Sequence, residues 1–209
     1  MNKAPFFYRF MRGLVKPLLK LLYRYRIKGA ENLPSEGKCI LCPNHLHAFD
    51  PAFIIVSLKR QVCFMAKAEL FKNRFLGFLL KRLGAFPVVR GAGDGKALEE
   101  AERILNSDKV FGIFIEGSRS KTGELLRPRA GAALMAYKTG APVVPCCITP
   151  QKGKLKLFSK TLVTYGKPIT TQELGFVEGV PAELRNASRL IMEKITEMRQ
   201  EHLEELENG

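Results

Sequence analysis

The chain reads as an α/β domain preceded by an amphipathic helix, and three observations predict this. Its 209 residues are 46% apolar and 26% charged with no low-complexity bias, which is enough to bury one sizeable core. From Arg26 onward, short β-rich runs alternate with helical ones. The first 25 residues separate cleanly on a helical wheel. Disordered, collagen-like and coiled-coil architectures are excluded. Residues 1–25 are therefore expected to form a membrane-interface helix, and residues 26–209 the α/β domain.

With Arg9 as zero, Arg12, Lys16, Lys20 and Arg24 fall within about 60° of it. Phe7, Phe10, Met11, Leu14, Leu18, Leu21, Leu22 and Tyr25 gather on the opposite side. Such a segment suits an interface lined by anionic headgroups; the plainer alternative is a helix packed on its own domain. Pro17 is expected to kink or divide it, and Phe6 falls off the apolar face.

The elements of the domain follow in order. A strand is expected over 38–41, and Asp50 as a cap with Pro51 in the first turn opens a helix over 51–58. A strand over 62–66 precedes an apolar helical stretch over 69–83, interrupted by Lys72, Arg74, Lys81 and Arg82. A strand over 85–89, a turn from Gly91 to Gly95 and a helix over 96–105 come next. The turn looks like a phosphate loop. It lacks the gap before Gly-Lys, however, and has Ala97 where Ser or Thr would hold magnesium, so it reads as a hinge and cap. Beyond it lie a strand over 110–115, a loop through Arg127, a helix over 130–139 and a strand over 142–148. Extended segments over 155–158 and 161–165 precede a long helix over 181–207, with Leu184, Ile191, Ile195 and Met198 along one stripe and His202 expected to be solvated.

Thirty-four basic against 20 acidic side chains leave a net charge of +14, which points to a polyanionic partner, nucleic acid or an anionic membrane. No recognition motif for nucleic acid is present and tryptophan is absent, so no nucleic-acid partner is expected. No apolar run approaches the ~20 residues of a spanning helix, and no signal-peptide layout opens the chain. The expectation is a peripheral, monotopic protein on the cytoplasmic face of the cell membrane. The five cysteines suit reduced thiols better than a disulfide scaffold. Cys39 and Cys42 have C-x-x-C spacing near His45 and His47, but an offset of three in a strand points the sulfurs to opposite faces, so no metal site is expected. Cys146 and Cys147 lie in an apolar run and read as core.

Two of the three histidines fall in Asn44-His45-Leu46-His47-Ala48-Phe49-Asp50, between a strand end and a helix start. A loop that curls back lets Asp50 hold one imidazole nitrogen of His45 and leaves the other as a general base. In Phe114-Ile115-Glu116-Gly117-Ser118-Arg119-Ser120, Gly117 allows close approach of a ligand and Arg119 suits a two-pronged phosphate contact. Arg90 ends the preceding strand, so two arginines arrive at the strand ends where α/β ligands sit.

These residues together resemble the 1-acylglycerol-3-phosphate (lysophosphatidate) acyltransferase family. The blocks are Asn44-His45-xxxx-Asp50, Gly84-Ala85-Phe86-Pro87-Val88-Val89-Arg90, the Phe114 to Ser120 run and Val143-Val144-Pro145, in the family's order over roughly residues 26 to 170. Ile115 and Ser118 stand where the family pattern has Pro and Thr, and His47 where a small hydroxyl residue is expected. The resemblance implies a single glycerolipid-acyltransferase-type domain, a mixed central sheet flanked by helices. It implies transfer of a fatty acyl chain from acyl-CoA or acyl carrier protein to the hydroxyl of a lysophospholipid, without a metal or other cofactor and giving phosphatidate for phospholipid biosynthesis. His45 and Asp50 would be catalytic; Arg90 and Arg119, with Lys67, would hold the acceptor phosphate. Glu116 would bind the glycerol hydroxyl or orient Arg119, with Gly117 permitting approach. Glycerol-3-phosphate, another lysophospholipid or an aminolipid stay open as acceptors.

Overall fold

The computed structural model describes residues 4–89, 95–151 and 153–208. Its strands are β1 (Arg24–Lys28), β2 (Cys39–Pro43), β3 (Val62–Lys67), β4 (Phe86–Val88), β5 (Val110–Gly112), β6 (Val143–Pro150) and β7 (Lys160–Tyr165). They form one sheet in the order β1-β7-β6-β2-β5-β3-β4. Strands β2 to β6 run parallel, β7 is antiparallel to β6, and β1 is parallel to β7. The sheet is mixed, as expected. Its helices are α1 (Phe6–Leu22), α2 (Asp50–Ser57), α3 (Arg74–Arg82), α4 (Gly95–Asn106), α5 (Gly131–Thr139) and α6 (Pro181–Asn208).

The central strands β2 and β6 are buried along their whole length because helices cover both faces, which is why they read as continuous apolar runs. On one face Ile40, Cys42 and Cys147 pack with Ile104 of α4, Met135 of α5 and Ile191 of α6. On the other, Cys39, Leu41 and Cys146 pack with Phe53 and Ile54 of α2 and Leu19 of α1. Cys39 and Cys42 thus lie on opposite faces of the sheet. All five cysteines are free and buried, and burial pushes the Cys39 and Cys147 thiols up to about 12, which keeps them protonated.

Several elements differ from the sequence expectation for identifiable reasons. Helix α1 ends at Leu22, and Arg24-Tyr25-Arg26-Ile27-Lys28 alternates exposed and buried positions as the edge strand β1, with Tyr25 opposite Thr161. Arg24 and Tyr25 therefore belong to the sheet rather than to the first helix. Pro17 lies inside α1 without ending it. Docking fixes the helix instead: the Tyr8 hydroxyl donates to the Arg60 carbonyl at 3.3 Å, and Arg12 donates to the Leu58 carbonyl at 2.9 Å. Arg12 is thereby removed from the free cationic stripe. The stretch over 69–83 divides into a short 3-10 turn, Ala68–Phe71, and α3, because the Asn73 side chain caps α3 by accepting from the Leu76 amide at 3.0 Å. Residues 155–158 hold no strand: 155 and 156 are irregular, and 157 and 158 lie in a turn. Phe158 adopts a left-handed φ of 62° and donates its amide to the Leu22 carbonyl at 2.7 Å, tying this loop to the end of α1. His202 is buried rather than solvated, since it lies on the face of α6 that meets β6, 2.9 Å from the Thr149 hydroxyl.

Candidate active site

The parallel strands deliver the candidate residues to one edge of the sheet. His45 follows the end of β2 by two residues, Lys67 is the last residue of β3, and the Glu116 to Arg119 turn follows β5, which lies between them. Neighbouring strands about 4.8 Å apart set these three groups in a row at the carboxyl ends. Arg90 and the turn beginning at Gly91 lie outside the described residues.

Asn44 pins the chain as it leaves the sheet. Its buried side chain donates to the Ile148 carbonyl at 3.1 Å and accepts from the Ile148 amide at 2.8 Å, so the first residue of the loop is clamped to β6. The loop then folds back on Asp50. Pro51 follows in the first turn of α2, but Asp50 is the first helical residue and Phe49 takes the cap position. The carboxylate does not cap α2; its Oδ2 accepts from the Leu46 and His47 amides at 2.7 Å each and lies 2.8 Å from His45 Nδ1. Three donors on one oxygen fix the carboxylate and, through it, the imidazole. With Asp50 ionised, Nδ1 carries the proton and Nε2 presents a lone pair. No hydrogen bond engages Nε2 among the described residues.

The imidazole is also held from its flat face. Its ring stacks on Phe114 with centroids 3.8 Å apart, and Phe114 stacks on Phe64 at 5.3 Å. Gly112 makes this possible, because a Cβ there would lie 2.3 Å from the Phe64 ring.

Glu116 is buried, and both of its oxygens are engaged: Oε1 accepts from the His45 amide at 2.8 Å and Oε2 from the Leu126 amide at 2.9 Å. Ser120 closes the same connection by donating its amide to the His45 carbonyl at 2.9 Å. Burial raises the Glu116 carboxyl above its ordinary value, while the two amides oppose that rise. Gly117 turns the chain with φ 68°, and a Cβ there would meet the Arg129 side chain at 3.2 Å. The structure thus joins His45, Asp50 and Glu116 by hydrogen bonds. Arg119 and Lys67 are exposed at the same edge, and among the described residues neither side chain is hydrogen-bonded to the other three.

Asn44 and Phe114 lie within the motif blocks of the sequence, which by themselves give neither residue a task. The adjacency of a buried Asn to His45 was a usable signal; the ring stack was not, since it joins residues 69 positions apart. His47 donates its amide to Asp50 and accepts from the Phe49 amide at 3.3 Å through Nδ1, so it serves the loop.

The chain is similar to known acyltransferases. A family model described as Acyltransferase matches residues 24–149. The 1-acyl-sn-glycerol-3-phosphate acyltransferase of Bacillus subtilis (strain 168) is 30% identical over 205 residues, 96% of this chain and 97% of that protein. The protein of the same name from Streptococcus pneumoniae is 30% identical over 174 residues, 80% of this chain and 64% of its own length. The crystal structure of the 1-acyl-sn-glycerophosphate (LPA) acyltransferase PlsC from Thermotoga maritima superposes with a TM-score of 0.76 at 25% identity, covering 93% of this chain and 78% of that one. The chain belongs to the acyltransferase family that contains these 1-acyl-sn-glycerol-3-phosphate acyltransferases.

Proposed function

We propose that this enzyme transfers a fatty acyl chain from an acyl thioester, on coenzyme A or acyl carrier protein, to the free hydroxyl of 1-acylglycerol-3-phosphate, giving phosphatidate for phospholipid biosynthesis. The observation that carries the reading is a histidine fixed through Nδ1 by Asp50 with Nε2 unengaged, in a chain with these relatives. His45 Nε2 takes the proton of the acceptor hydroxyl as its oxygen attacks the thioester carbonyl. The carbon–sulfur bond then breaks, and the imidazolium returns the proton to the departing thiolate. Asp50 stabilises the imidazolium between these steps. No covalent acyl-enzyme is needed, in keeping with cysteines that are buried and protonated. Arg119 and Lys67 hold the acceptor phosphate, with Arg90 a third candidate. Glu116 holds the loop that carries His45, and Gly117 leaves room for the glycerol. The Ser118 and Arg119 amides, without acceptors among the described residues, are the donors available to the oxyanion.

Access to a lipid acceptor comes from α1. Phe10, Leu14, Leu18 and Leu21 are exposed along one side, while Arg9, Lys16 and Lys20 lie on another. Among the described residues no helix is long and apolar enough to cross a membrane. Docking in one leaflet, on the cytoplasmic face, is the arrangement these two sides favour. The test is thiol release from acyl-CoA and, separately, acyl carrier protein, with and without lysophosphatidate. Release that depends on lysophosphatidate supports the reading; release without acceptor, or none with either donor, contradicts it.

A further inference from the structure

At the opposite edge of the sheet from His45, a cleft of about 600 Å³ opens beside the amino-terminal ends of β3 and β5. Small-molecule sites occupy roughly 300–1,000 Å³. Gln61 and Cys63 line it together with residues of α1, α3 and α4. None of the residues assigned to acyl transfer lines it.

Its charge is one-sided. Lys81, Arg82, Arg103 and Lys109 face it with one carboxylate, Glu100, which is bound to Arg103 through two contacts of 2.8 and 2.6 Å. That pair cancels, whereas Lys81, Arg82 and Lys109 have no ion pair among the described residues. The Arg82 guanidinium lies over two rings, 5.0 Å from the centroid of Phe78 and 5.9 Å from that of Phe7. Cation–π contacts position it without consuming its N–H donors, which make no hydrogen bond among the described residues. A positioned guanidinium with open donors, beside two ammonium groups that make no ion pair among the described residues, is the chemistry of a phosphate site.

The rim of the cleft is apolar. Phe6 is 80% exposed where α1 lines the cleft, and Phe78, under the Arg82 guanidinium, is 53% exposed and meets Phe7 edge-on at 6.3 Å, joining the two helices. Phosphate-binding cations inside an exposed aromatic rim complement a headgroup whose acyl chains leave along the rim. We propose that this cleft binds the phosphate headgroup of an anionic membrane phospholipid, held as a ligand apart from the acyl-transfer substrates. The orientation rests on α1 lying in the membrane interface; the cleft itself does not depend on the acyl-transfer reading.

The test compares the full chain with the triple variant K81Q/R82Q/K109Q and with a charge-matched control on exposed cations elsewhere, K167Q/R185Q/R189Q. Binding is measured to phosphatidylcholine vesicles with and without one part in five of phosphatidylglycerol. The cleft variant is expected to lose about tenfold more affinity than the control for the anionic vesicles, with binding to phosphatidylcholine alone unchanged. Equal losses in the two variants would mean general electrostatic attraction and overturn the site. In calorimetry, soluble short-chain phosphatidylglycerol is expected to bind the wild type at least about tenfold more tightly than inorganic phosphate, with the cleft variant losing it. Equal affinity for the two would overturn the lipid assignment in favour of free phosphate. Turnover on a soluble short-chain lysophosphatidate, expected to be unchanged in both variants, separates failure of this proposal from failure of the catalytic one.

Discussion

The loop carrying His45 and the loop carrying Arg119 meet, yet they are built in opposite ways. Between Asn44 and Asp50 the loop is tied down by hydrogen bonds: Asn44 to Ile148, His45 to Asp50 and Glu116, and Leu46 and His47 to Asp50. Across the connection, Arg119, Lys121, Arg127 and Arg129 are exposed, with no ion pair among the described residues. On the proposed function, the difference reflects two tasks. A proton transfer depends on tenths of an ångström, so the base is fixed before substrate arrives. Anion recognition instead gains when solvated cations close on a phosphate and water leaves. Glu116 lies in the second loop by sequence but serves the first by its bonds.

The largest expected effect strikes the fixed side. His45→Ala is expected to lower turnover by about 10²- to 10⁴-fold with an unchanged melting temperature; a near-normal rate would remove His45 from the mechanism. Glu116→Gln comes next. Its amide can accept from only one of the two buried N–H groups and confronts the other with a donor, at a cost of about 1.5–3 kcal/mol. Steady-state kinetics should show kcat lower by about 10- to 100-fold and acceptor KM within about threefold of wild type. Gly112→Ala drives a methyl into the Phe64 ring and is expected to cost about 1–3 kcal/mol in urea unfolding and to lower kcat through the Phe114 stack. An alanine variant with unchanged stability would show that the stack has slack. On the open side, Arg119→Ala should raise acceptor KM by at least about tenfold without loss of stability; an unchanged KM would place the phosphate elsewhere.

A separate effect, on acid stability, keeps pH studies of the base interpretable. Burial, aided by Lys28, lowers His202 to about 4. The unfolded chain, with an imidazole near 6.5, therefore takes up that proton first as pH falls. Stability from this residue is complete above about pH 6.5 and is lost toward pH 4, by at most about 1.4 kcal/mol per pH unit. Urea midpoints over this range should flatten in His202→Gln; an identical slope would assign acid sensitivity to other groups.

Much of the fold was legible because its periods were clean. Continuous apolar runs marked β2 and β6, and the stripe through Leu184, Ile191, Ile195 and Met198 marked α6. His45 and Asp50 were legible because a curled loop is the only way to join a five-residue offset, and Pro51 supplied the helix start that curls it. What escaped depended on tertiary neighbours. Arg24 and Tyr25 suit a helical wheel and a strand equally, and β7 decides between them. His202 sits in a charged helix whose buried side is set by β6. Glu116 looked like a ligand group beside Arg119, since nothing local shows that the His45 and Leu126 amides fill its oxygens.

That last point is where a single measurement bears most directly on the account. A double-mutant cycle on kcat/KM with Glu116→Gln, Arg119→Ala and the pair would read their coupling. If Glu116 holds the base loop while Arg119 meets the phosphate, the two losses add to within about 0.5 kcal/mol. A coupling above about 1 kcal/mol would contradict the division, because it would mean that Glu116 acts through Arg119.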